Sequence, residues 1–308
     1  MACHNNGPDI TTHTPPRLDA SSSTPCFTGI TIANEPLLSC PEVYTHGWGM
    51  VFDCWHHCPA CGSSTIFRQY CYMDAGATPY DIIRTRVPQC MTPNRASASQ
   101  RAAFLFGDSH SAHIKHGVEA ALTRAGVTLS WLGITGQSCS YLYNAGGICL
   151  EVRSMIRSAL ETHLQPGDLV IVAHAKWKYM SGWQGEQQRN TLRDLYVNVL
   201  QPRGANLVMV GDPPQLSTWA AYCLQAPINC RTGSWENDAN LALQPLANEF
   251  TGVTYISIWG LFCDANYCYP QVPGTTTWAY WDNSHLTRGG SLYLWPYIGA
   301  HLEAAGFV

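Results

Sequence analysis

The residues of this sequence that could do chemistry together lie in two short stretches, 106–110 and 282–287. The first contains Ser109, whose hydroxyl could act as a nucleophile, and the second contains Asp282 and His285. A serine hydroxyl needs a base that titrates near neutral pH, and that base needs a carboxylate to orient it. If the two stretches meet in the fold, they supply a nucleophile, a base and an orienting acid for attack on an acyl group.

Ser109 stands where a predicted strand turns into a predicted helix. The apolar run 102–106 stops at Gly107, and from Val118 apolar residues recur at helical spacing until Gly126. The first turn of a helix has free backbone N–H groups and lies at the positive end of the helix dipole. A negative charge that develops at Ser109 during a reaction would therefore be stabilised.

Strand and helix signals alternate along the rest of the chain. The candidate strands are 104–106, 127–132, 169–173, 207–210 and 253–258. The candidate helices are 111–125, 148–163, 185–200, 237–250 and 289–305. Five such units predict a three-layer α/β/α sandwich around a five-stranded parallel, flavodoxin-like sheet. Ser109, the loop 133–140 and the segment 174–179 would then emerge at the carboxyl edge of the sheet, where ligands bind.

Cysteines divide the chain at about residue 98. Eight of the fourteen lie in residues 1–98, a stretch with many Pro, Gly, Ser and Thr residues and little helical periodicity. We interpret 1–98 as a loop-rich, disulfide-stapled module and 99–308 as the domain that carries Ser109. Cys58 and Cys61 have the spacing of zinc ligands, but an obvious second pair is absent, so disulfides are favoured and no metal is expected.

Composition excludes several classes of partner. The formal net charge is −4, which gives no reason to expect binding to nucleic acid or to an anionic membrane surface. Apolar runs are all shorter than a bilayer span, and residues 1–14 are polar, unlike a signal sequence. Fourteen cysteines nevertheless favour an oxidising compartment. We therefore expect a secreted or lumenal protein with no membrane span of its own.

The two stretches resemble the first and last sequence blocks of the SGNH/GDSL hydrolase superfamily. The most similar variant is the SGNH domain that is fused to membrane acyltransferases which O-acetylate bacterial polysaccharides. Further features of that variant are Ser138-Cys139 after the second strand, Gly289-Gly290 after the histidine block and the pair Cys263 and Cys268. The resemblance covers residues 102–308, whereas residues 1–98 resemble no family that we can name.

The resemblance implies roles for individual residues. Ser109 would be the nucleophile, His285 the base and Asp282 the acid that orients it. The backbone N–H of Ser109 would be one oxyanion donor, and Gly136, or alternatively Gly133, would supply the second. The chain departs from the family after the third strand, where many members have an asparagine that donates to the oxyanion. Here the sequence reads His-Ala-Lys-Trp-Lys-Tyr, so Lys176 or the indole N–H of Trp177 would have to replace that donor.

A carbohydrate ester is the substrate that this interpretation favours. Aromatic residues are frequent in the predicted loops, and aromatic rings pack well on the apolar faces of sugars. We expect Trp177, Tyr179 and Trp281 to contact the substrate. The expected function is that of a serine-dependent carbohydrate O-acetylesterase without a cofactor, which cleaves O-acyl esters through an acyl-enzyme. The family also implies a membrane acyltransferase as a partner.

Two other functions and one metal site remain open from the sequence. A sugar hydroxyl in place of water as the acceptor would make the same triad a glycan O-acetyltransferase. The missing asparagine also leaves open a non-catalytic glycan-binding module on an SGNH scaffold. His110, His113 and His116 lie close together on the first helix, but no carboxylate or cysteine pattern completes a metal site around them. Asp108 is interpreted as a turn residue that accepts hydrogen bonds.

Overall fold

A six-stranded parallel sheet forms the centre of the protein. The computed structural model describes residues 71–308 except 77, 136–140, 143–146, 176–181, 218–219, 221–242, 264–266 and 281, and it describes residues 182–184 by their backbone alone. The strands are β1 (Tyr72–Asp74), β2 (Ala102–Gly107), β3 (Thr128–Thr135), β4 (Leu169–Ala173), β5 (Asn206–Val210) and β6 (Val253–Ile256). All neighbouring strands pair in parallel, in the order β1-β3-β2-β4-β5-β6.

Helices cover both faces of the sheet. The α-helices are α1 (Tyr80–Cys90), α2 (Ser109–Arg124), α3 (Ile148–His163), α4 (Gly182–Leu195), α5 (Gln244–Glu249), α6 (Arg288–Tyr293) and α7 (Trp295–Ala304). Helix α4 continues into a π-helical turn at Tyr196–Leu200. Each helix in the described part of the chain is too short or too polar to serve as a transmembrane segment.

Alternate residues of β2 face two separate apolar layers. Phe104 and Phe106 belong to one buried cluster, which includes residues of α1, α3 and α4. Ala103 and Leu105 belong to the other cluster, which includes residues of α2 and α7. A parallel strand that is covered on both faces is apolar throughout, and all six residues of β2 are buried. This confirms the predicted α/β/α sandwich, and strands β2 to β6 have the expected flavodoxin-like order.

The sheet has six strands, so the predicted number of five is wrong. The additional strand, β1, pairs with the edge of β3 and has only three residues, which is too short for a periodic apolar pattern. It lies in the stretch that sequence analysis assigned to the cysteine-rich module, as does helix α1. Residues 1–70 lie outside the described residues, so the division at residue 98 stays a prediction, although the described residues 71–98 pack against the sheet.

Other differences concern the ends of helices. The predicted helix 289–305 is two helices, α6 and α7, because Pro296 in the first turn of α7 has no N–H to continue a helix. Helix α5 begins at Gln244, and residues 237–242 of the predicted helix 237–250 lie outside the described residues.

Disulfides connect loops and element ends. Cys71 and Cys90 join the residue before β1 to the last residue of α1, and Cys263 bonds to Cys268 as expected. Cys149 is also disulfide-bonded. The sequence suggests the local pairings Cys139 with Cys149 and Cys223 with Cys230. Cys139, Cys223 and Cys230 lie outside the described residues, as does the cysteine cluster 54–61.

A buried ion pair ties the segment before β2 to the amino edge of the sheet. Arg95 donates hydrogen bonds to both carboxylate oxygens of Asp168, at 2.5 and 3.0 Å. Asp168 is fully buried and also accepts the backbone N–H groups of Ala102 and Gln165. Because each oxygen of the carboxylate has donors, its burial is compensated. The composition of the stretch 92–99, with Pro, Asn, Ser and Thr, is typical of a linker, but Arg95 anchors this stretch to the sheet.

The end of β2 has no space for a side chain. A Cβ atom built on Gly107 would lie 1.7 Å from the carbonyl oxygen of Ala173, a backbone atom of the neighbouring strand β4. Glycine at this position therefore allows the two strands to stay in contact immediately before Asp108 and Ser109.

We expect Gly107→Ala to lower the free energy of unfolding by about 1–3 kcal/mol or more, because the strands must separate to admit the methyl group. Gly260→Ala is the matched control, since a Cβ atom on Gly260 would have no atom within 4 Å. Urea denaturation of the two variants and the wild type measures the difference. Equal midpoints for the two variants would contradict this account of the strand packing.

Candidate active site

Ser109 is the first residue of helix α2, directly after strand β2. Asp108 caps this helix, and its carboxylate accepts the backbone N–H of His110 at 2.9 Å. The cap leaves the Ser109 N–H outside the helical hydrogen-bond pattern, as is normal for the first turn. The half-buried hydroxyl of Ser109 therefore lies at the positive end of a 16-residue helix.

Ser109, His285 and Asp282 form a continuous chain of hydrogen bonds. His285 Nε2 lies 2.9 Å from Ser109 Oγ, and His285 Nδ1 lies 2.6 Å from Asp282 Oδ2. A carboxylate can only accept, so Nδ1 carries the proton and Nε2 is left to accept the serine hydroxyl. This is the tautomer in which a histidine can act as a general base toward a serine. The contacts expected from the sequence are therefore present.

The carboxylate of Asp282 is held by the turn that contains His285. Its Oδ1 accepts the backbone N–H groups of Ser284 and His285 at 2.6 and 2.7 Å. Burial alone would raise the pKa of Asp282, but the hydrogen bond and charge of His285, together with these two N–H groups, outweigh burial and lower it. Asp282 is therefore an anion at neutral pH and can stabilise a charged His285.

The loop that carries Asp282 and His285 is fixed at several points. The backbone N–H groups of Leu216 and Ala220, which follow β5, donate to the carbonyl oxygens of Asn283 and Asp282. Thr287 caps α6, with its hydroxyl oxygen accepting the N–H of Gly290 at 3.0 Å. The geometry of the loop is thus set by both the sheet and the last helices.

Asp108 links the helix of Ser109 to the loop after β4. Its two carboxylate oxygens lie 3.1 and 3.0 Å from the backbone nitrogen of Ala175, and His174 Nδ1 is 3.7 Å from Oδ2. Burial would raise the pKa of Asp108, but His174, the charge of His110 and the N–H of Ala175 hold it well below its usual range. Asp108 accepts hydrogen bonds at the turn, as the sequence analysis expected.

A second aspartate–histidine pair adjoins the triad. His110 Nδ1 lies 2.5 Å from Asp212 Oδ1, and both side chains are buried. The ring of His110 is 4.7 Å from that of His285 and 4.5 Å from that of His113. Asp212 is not among the residues expected at the site from the sequence, although its position two residues after the predicted strand 207–210 is typical of a site residue.

The three histidines of α2 do not share one site. His110 and His113 cluster with Asp212, whereas both ring nitrogens of His116 are buried without a hydrogen-bond partner in the described part of the chain. Although the cluster has the spacing of metal ligands, His113 Nδ1 accepts the backbone N–H of Leu286 at 3.3 Å. The ring proton of neutral His113 is therefore on Nε2, so neither nitrogen of His113 has a lone pair for a metal.

The predicted oxyanion and substrate residues are mostly outside the described residues. These are Gly136, Lys176, Trp177, Tyr179 and Trp281. Gly133, the alternative to Gly136, lies within β3, and its N–H donates to the carbonyl of Cys71 at 2.9 Å. That N–H is used by the sheet, so Gly133 is not the second oxyanion donor.

Comparison with known protein families gives a match over most of this chain. The model of the family described as "SGNH domain (fused to AT3 domains)" matches residues 70–299. No match to this chain is found among curated protein sequences.

The solved structure of a Salmonella protein domain shows the same fold at low sequence identity. The periplasmic domain of a lipopolysaccharide acetyltransferase from Salmonella ser. Paratyphi A superposes with a TM-score of 0.55 at 14% identity, over 77% of this chain and 93% of that domain. A protein from Bacteroides fragilis NCTC 9343, assigned as an acylhydrolase, has a TM-score of 0.43 at 13% identity, over 72% of this chain and 95% of its own.

We expect Asp108→Asn to lower the free energy of unfolding at pH 7 by about 1–3 kcal/mol, because buried N–H groups lose a charged acceptor. The difference in the free energy of unfolding between the wild type and Asp108→Asn should become smaller as the pH falls. Asp108 titrates lower in the folded state than its ordinary value of 3.8, so its stabilisation is present above that pH and is lost as the pH falls further. Urea denaturation at several pH values between 7 and 3 measures both effects. A difference that stays constant over this range would contradict the assigned charge state.

Proposed function

The chain belongs to the family of SGNH domains that are fused to AT3 domains, and from this membership we propose that it cleaves O-acyl esters of carbohydrates, most simply O-acetyl esters, through an acyl-enzyme on Ser109. The family makes the protein an enzyme that acts on ester bonds. The observation that carries the proposal is the hydrogen-bond chain from Ser109 Oγ through His285 to Asp282.

The first half of the reaction forms the acyl-enzyme. Ser109 Oγ attacks the ester carbonyl carbon while His285 Nε2 takes the hydroxyl proton, and Asp282 stabilises the resulting imidazolium. The tetrahedral intermediate carries a negative charge on the former carbonyl oxygen. When it collapses, the carbon–oxygen bond to the sugar breaks, and His285 returns the proton to the departing sugar oxygen. The acyl group is then bonded to Ser109 and the sugar hydroxyl is free.

The second half of the reaction removes the acyl group. A water molecule gives a proton to His285 Nε2 as its oxygen attacks the acyl carbon, and collapse of the second intermediate releases the carboxylic acid and the serine hydroxyl. The tautomer in the structure, with the proton on His285 Nδ1, suits both halves because Nε2 alone exchanges protons with the reactants. Asp282 keeps its charge throughout.

We propose that the oxyanion of the tetrahedral intermediate is stabilised by hydrogen-bond donors at the carboxyl edge of the sheet. The N–H of Ser109 is one donor because it is the first residue of α2 and lies outside the helical hydrogen bonds. Gly136 is the second, as the family pattern implies. The family asparagine after the third strand is replaced here, and we assign its part to the indole N–H of Trp177 or to Lys176.

A glycan substrate is supported by exposed aromatic side chains in the segment after β6. Tyr267 lies within the Cys263–Cys268 disulfide loop and Tyr269 directly after it, and they are 37% and 42% exposed. Such rings pack on the apolar faces of sugars. Together with Trp177, Tyr179 and Trp281, they would give a glycan an aromatic surface beside the carboxyl ends of the strands.

Acyl transfer to a sugar is the second candidate, and the family description favours it. AT3 domains are acyltransferase domains, and the Salmonella domain of similar fold is named for a lipopolysaccharide acetyltransferase. A membrane acyltransferase is accordingly the partner that we propose. Disulfides in this chain, such as Cys71–Cys90, fit an extracytoplasmic location. The ratio of acetylated acceptor to free acetate, measured on an acetylated oligosaccharide with an unacetylated acceptor present, distinguishes transfer from hydrolysis.

Ser109→Ala should reduce turnover of a small acetyl ester by about 10⁴-fold or more, because the variant lacks the hydroxyl that attacks the ester in the proposed reaction. Ser158→Ala is the control, since Ser158 is an exposed serine on α3, on the other side of the sheet from α2. Acetate release and circular dichroism are followed for both variants. Wild-type turnover by folded Ser109→Ala protein would refute the proposed mechanism.

Trp177→Phe tests the proposed oxyanion donor. If the indole N–H donates to the intermediate, the loss of this single contact should lower kcat roughly 10- to 1000-fold with a smaller change in KM. Trp295→Phe is the matched control, because Trp295 lies on α7 and its indole nitrogen has no hydrogen-bond partner in the described part of the chain. Lys176→Met is the companion variant, and an effect there without one at Trp177 would assign the donor to Lys176.

A further inference from the structure

The Asp212–His110 pair takes no part in the proton transfers of the proposed reaction, yet it is buried directly behind His285. Asp212 follows β5, and His110 follows Ser109 on α2. Their side chains are 3% and 5% exposed, with 2.5 Å between Oδ1 and Nδ1. Burying two ionisable groups is costly unless they pair, and removing one partner leaves the other uncompensated. The pair is therefore a specific feature of this edge of the sheet.

The charge on this pair depends on Asp212. Burial alone would lower the pKa of His110, but the charge and hydrogen bond of Asp212 outweigh burial and raise it. Asp108 and Asp282 also contribute to the increase. A carboxylate only accepts, so His110 Nδ1 carries a proton toward Asp212 in either charge state. The orientation of the His110 ring is thus fixed by a hydrogen bond to a residue in the loop after β5.

Contacts on the faces of the His285 ring restrain it in addition to its hydrogen bonds. Asp282 and Ser109 bind its two nitrogens in the plane of the ring, and such bonds oppose a tilt out of that plane only weakly. The ring of His110 lies 4.7 Å away at an angle of 49°, and that of His113 lies 5.8 Å away nearly edge-on. These contacts limit the tilt, and the first of them is held in place by Asp212.

The same helix also restrains the backbone next to the base. His113 Nδ1 accepts the N–H of Leu286, the residue after His285. Burial, and after it the charges of His110 and His285, lowers the pKa of His113 well below its ordinary value, so it remains neutral and can accept. Helix α2 therefore contacts the base through three side chains, those of Ser109, His110 and His113.

We propose that Asp212 is a positioning residue, which acts through His110 to hold the ring of His285 in line with Ser109. This inference rests on the proposed function, because it assigns His285 the role of the base. The competing interpretation is that the pair only joins α2 to the loop after β5. The two interpretations differ in whether the geometry of the triad changes when the pair is broken in a folded protein.

The first test is the reactivity of Ser109 in Asp212→Asn, which keeps the size of the side chain and removes its charge. Misplacement of a reacting group by about 1 Å costs roughly 10²-fold in rate. We expect the rate of labelling of Ser109 by a fluorophosphonate, read by intact mass, to fall 10- to 100-fold. The kcat for a small acetyl ester should fall by a similar factor, with little change in KM, because neither Asp212 nor His110 touches the substrate.

Asp168→Asn is the matched control, because Asp168 is another fully buried aspartate but lies at the amino edge of the sheet. Its loss should lower stability and leave the labelling rate of the folded protein unchanged. Both variants are compared below their melting temperatures. If Asp212→Asn does not fold, His110→Gln breaks the ring contact while its amide can still donate to Asp212, and the same fall in rate is expected.

The second test is the NMR resonance of the His285 imidazole N–H proton, which should not change if the Asp212–His110 pair has a purely structural role. An imidazole N–H that donates to a carboxylate resonates far downfield, so the wild type should show two such protons, one from His285 and one from His110. The two resonances are assigned by substitution. Asp282→Asn should remove the resonance of His285, and Asp212→Asn should remove that of His110. We expect Asp212→Asn to shift the His285 resonance as well as abolish that of His110.

An unchanged His285 resonance together with an unchanged labelling rate in folded Asp212→Asn would overturn the positioning role and leave the proposed function intact. Failure of the proposed function would give a different set of results. If wild-type protein neither hydrolyses nor transfers acyl groups and Ser109 does not react, the proposed function fails. The response of the His285 resonance to Asp212→Asn then still decides whether the pair positions this ring.

Discussion

Three aspartates at the carboxyl edge of the sheet lose most of their contact with water as the protein folds, and the site depends on how each one is compensated. Asp282 is held by His285 and two backbone N–H groups, and Asp108 by N–H groups from α2 and from the loop after β4. Asp212 is held by His110. Because a buried carboxylate without donors is costly, these partners fix the loops around Ser109 in one arrangement.

Helix α2 connects these compensating contacts. It begins at Ser109, its cap is Asp108, and its histidines contact Asp212 and the segment around His285. Its other side is fixed as well, since the N–H of Gly117 donates to the Ser291 hydroxyl on α6. One helix thus carries Ser109 and binds the element that carries His285, 176 residues away in sequence. Such an arrangement suits the short and directed proton transfer of the proposed reaction.

Much of the sheet could be predicted because parallel strands that are buried on both faces are continuous apolar runs. Strands β2 to β6 have this property, and turn residues separate them from amphipathic helices. Strand β1 is not a continuous apolar run, and a segment of three residues is too short to show a periodic apolar pattern. Its place in the sheet follows from pairing with the edge of β3. The break between α6 and α7 could have been found from Pro296, whereas Gly133 could not be excluded as a donor until its N–H had a partner in the sheet.

The sequence by itself predicted that Ser109, Asp282 and His285 come together, because Ser109 lies in a strand–turn–helix pattern and Asp282 and His285 lie three residues apart in a recognisable block. Local chemistry and spacing along the chain suffice for such features. The tertiary structure alone decided that Asp212 meets His110 across 102 residues, that His113 accepts a backbone N–H and is unsuited to a metal, and that residues 71–98 pack on the sheet. These contacts join side chains to distant backbone groups, and only folding brings such partners within hydrogen-bond distance.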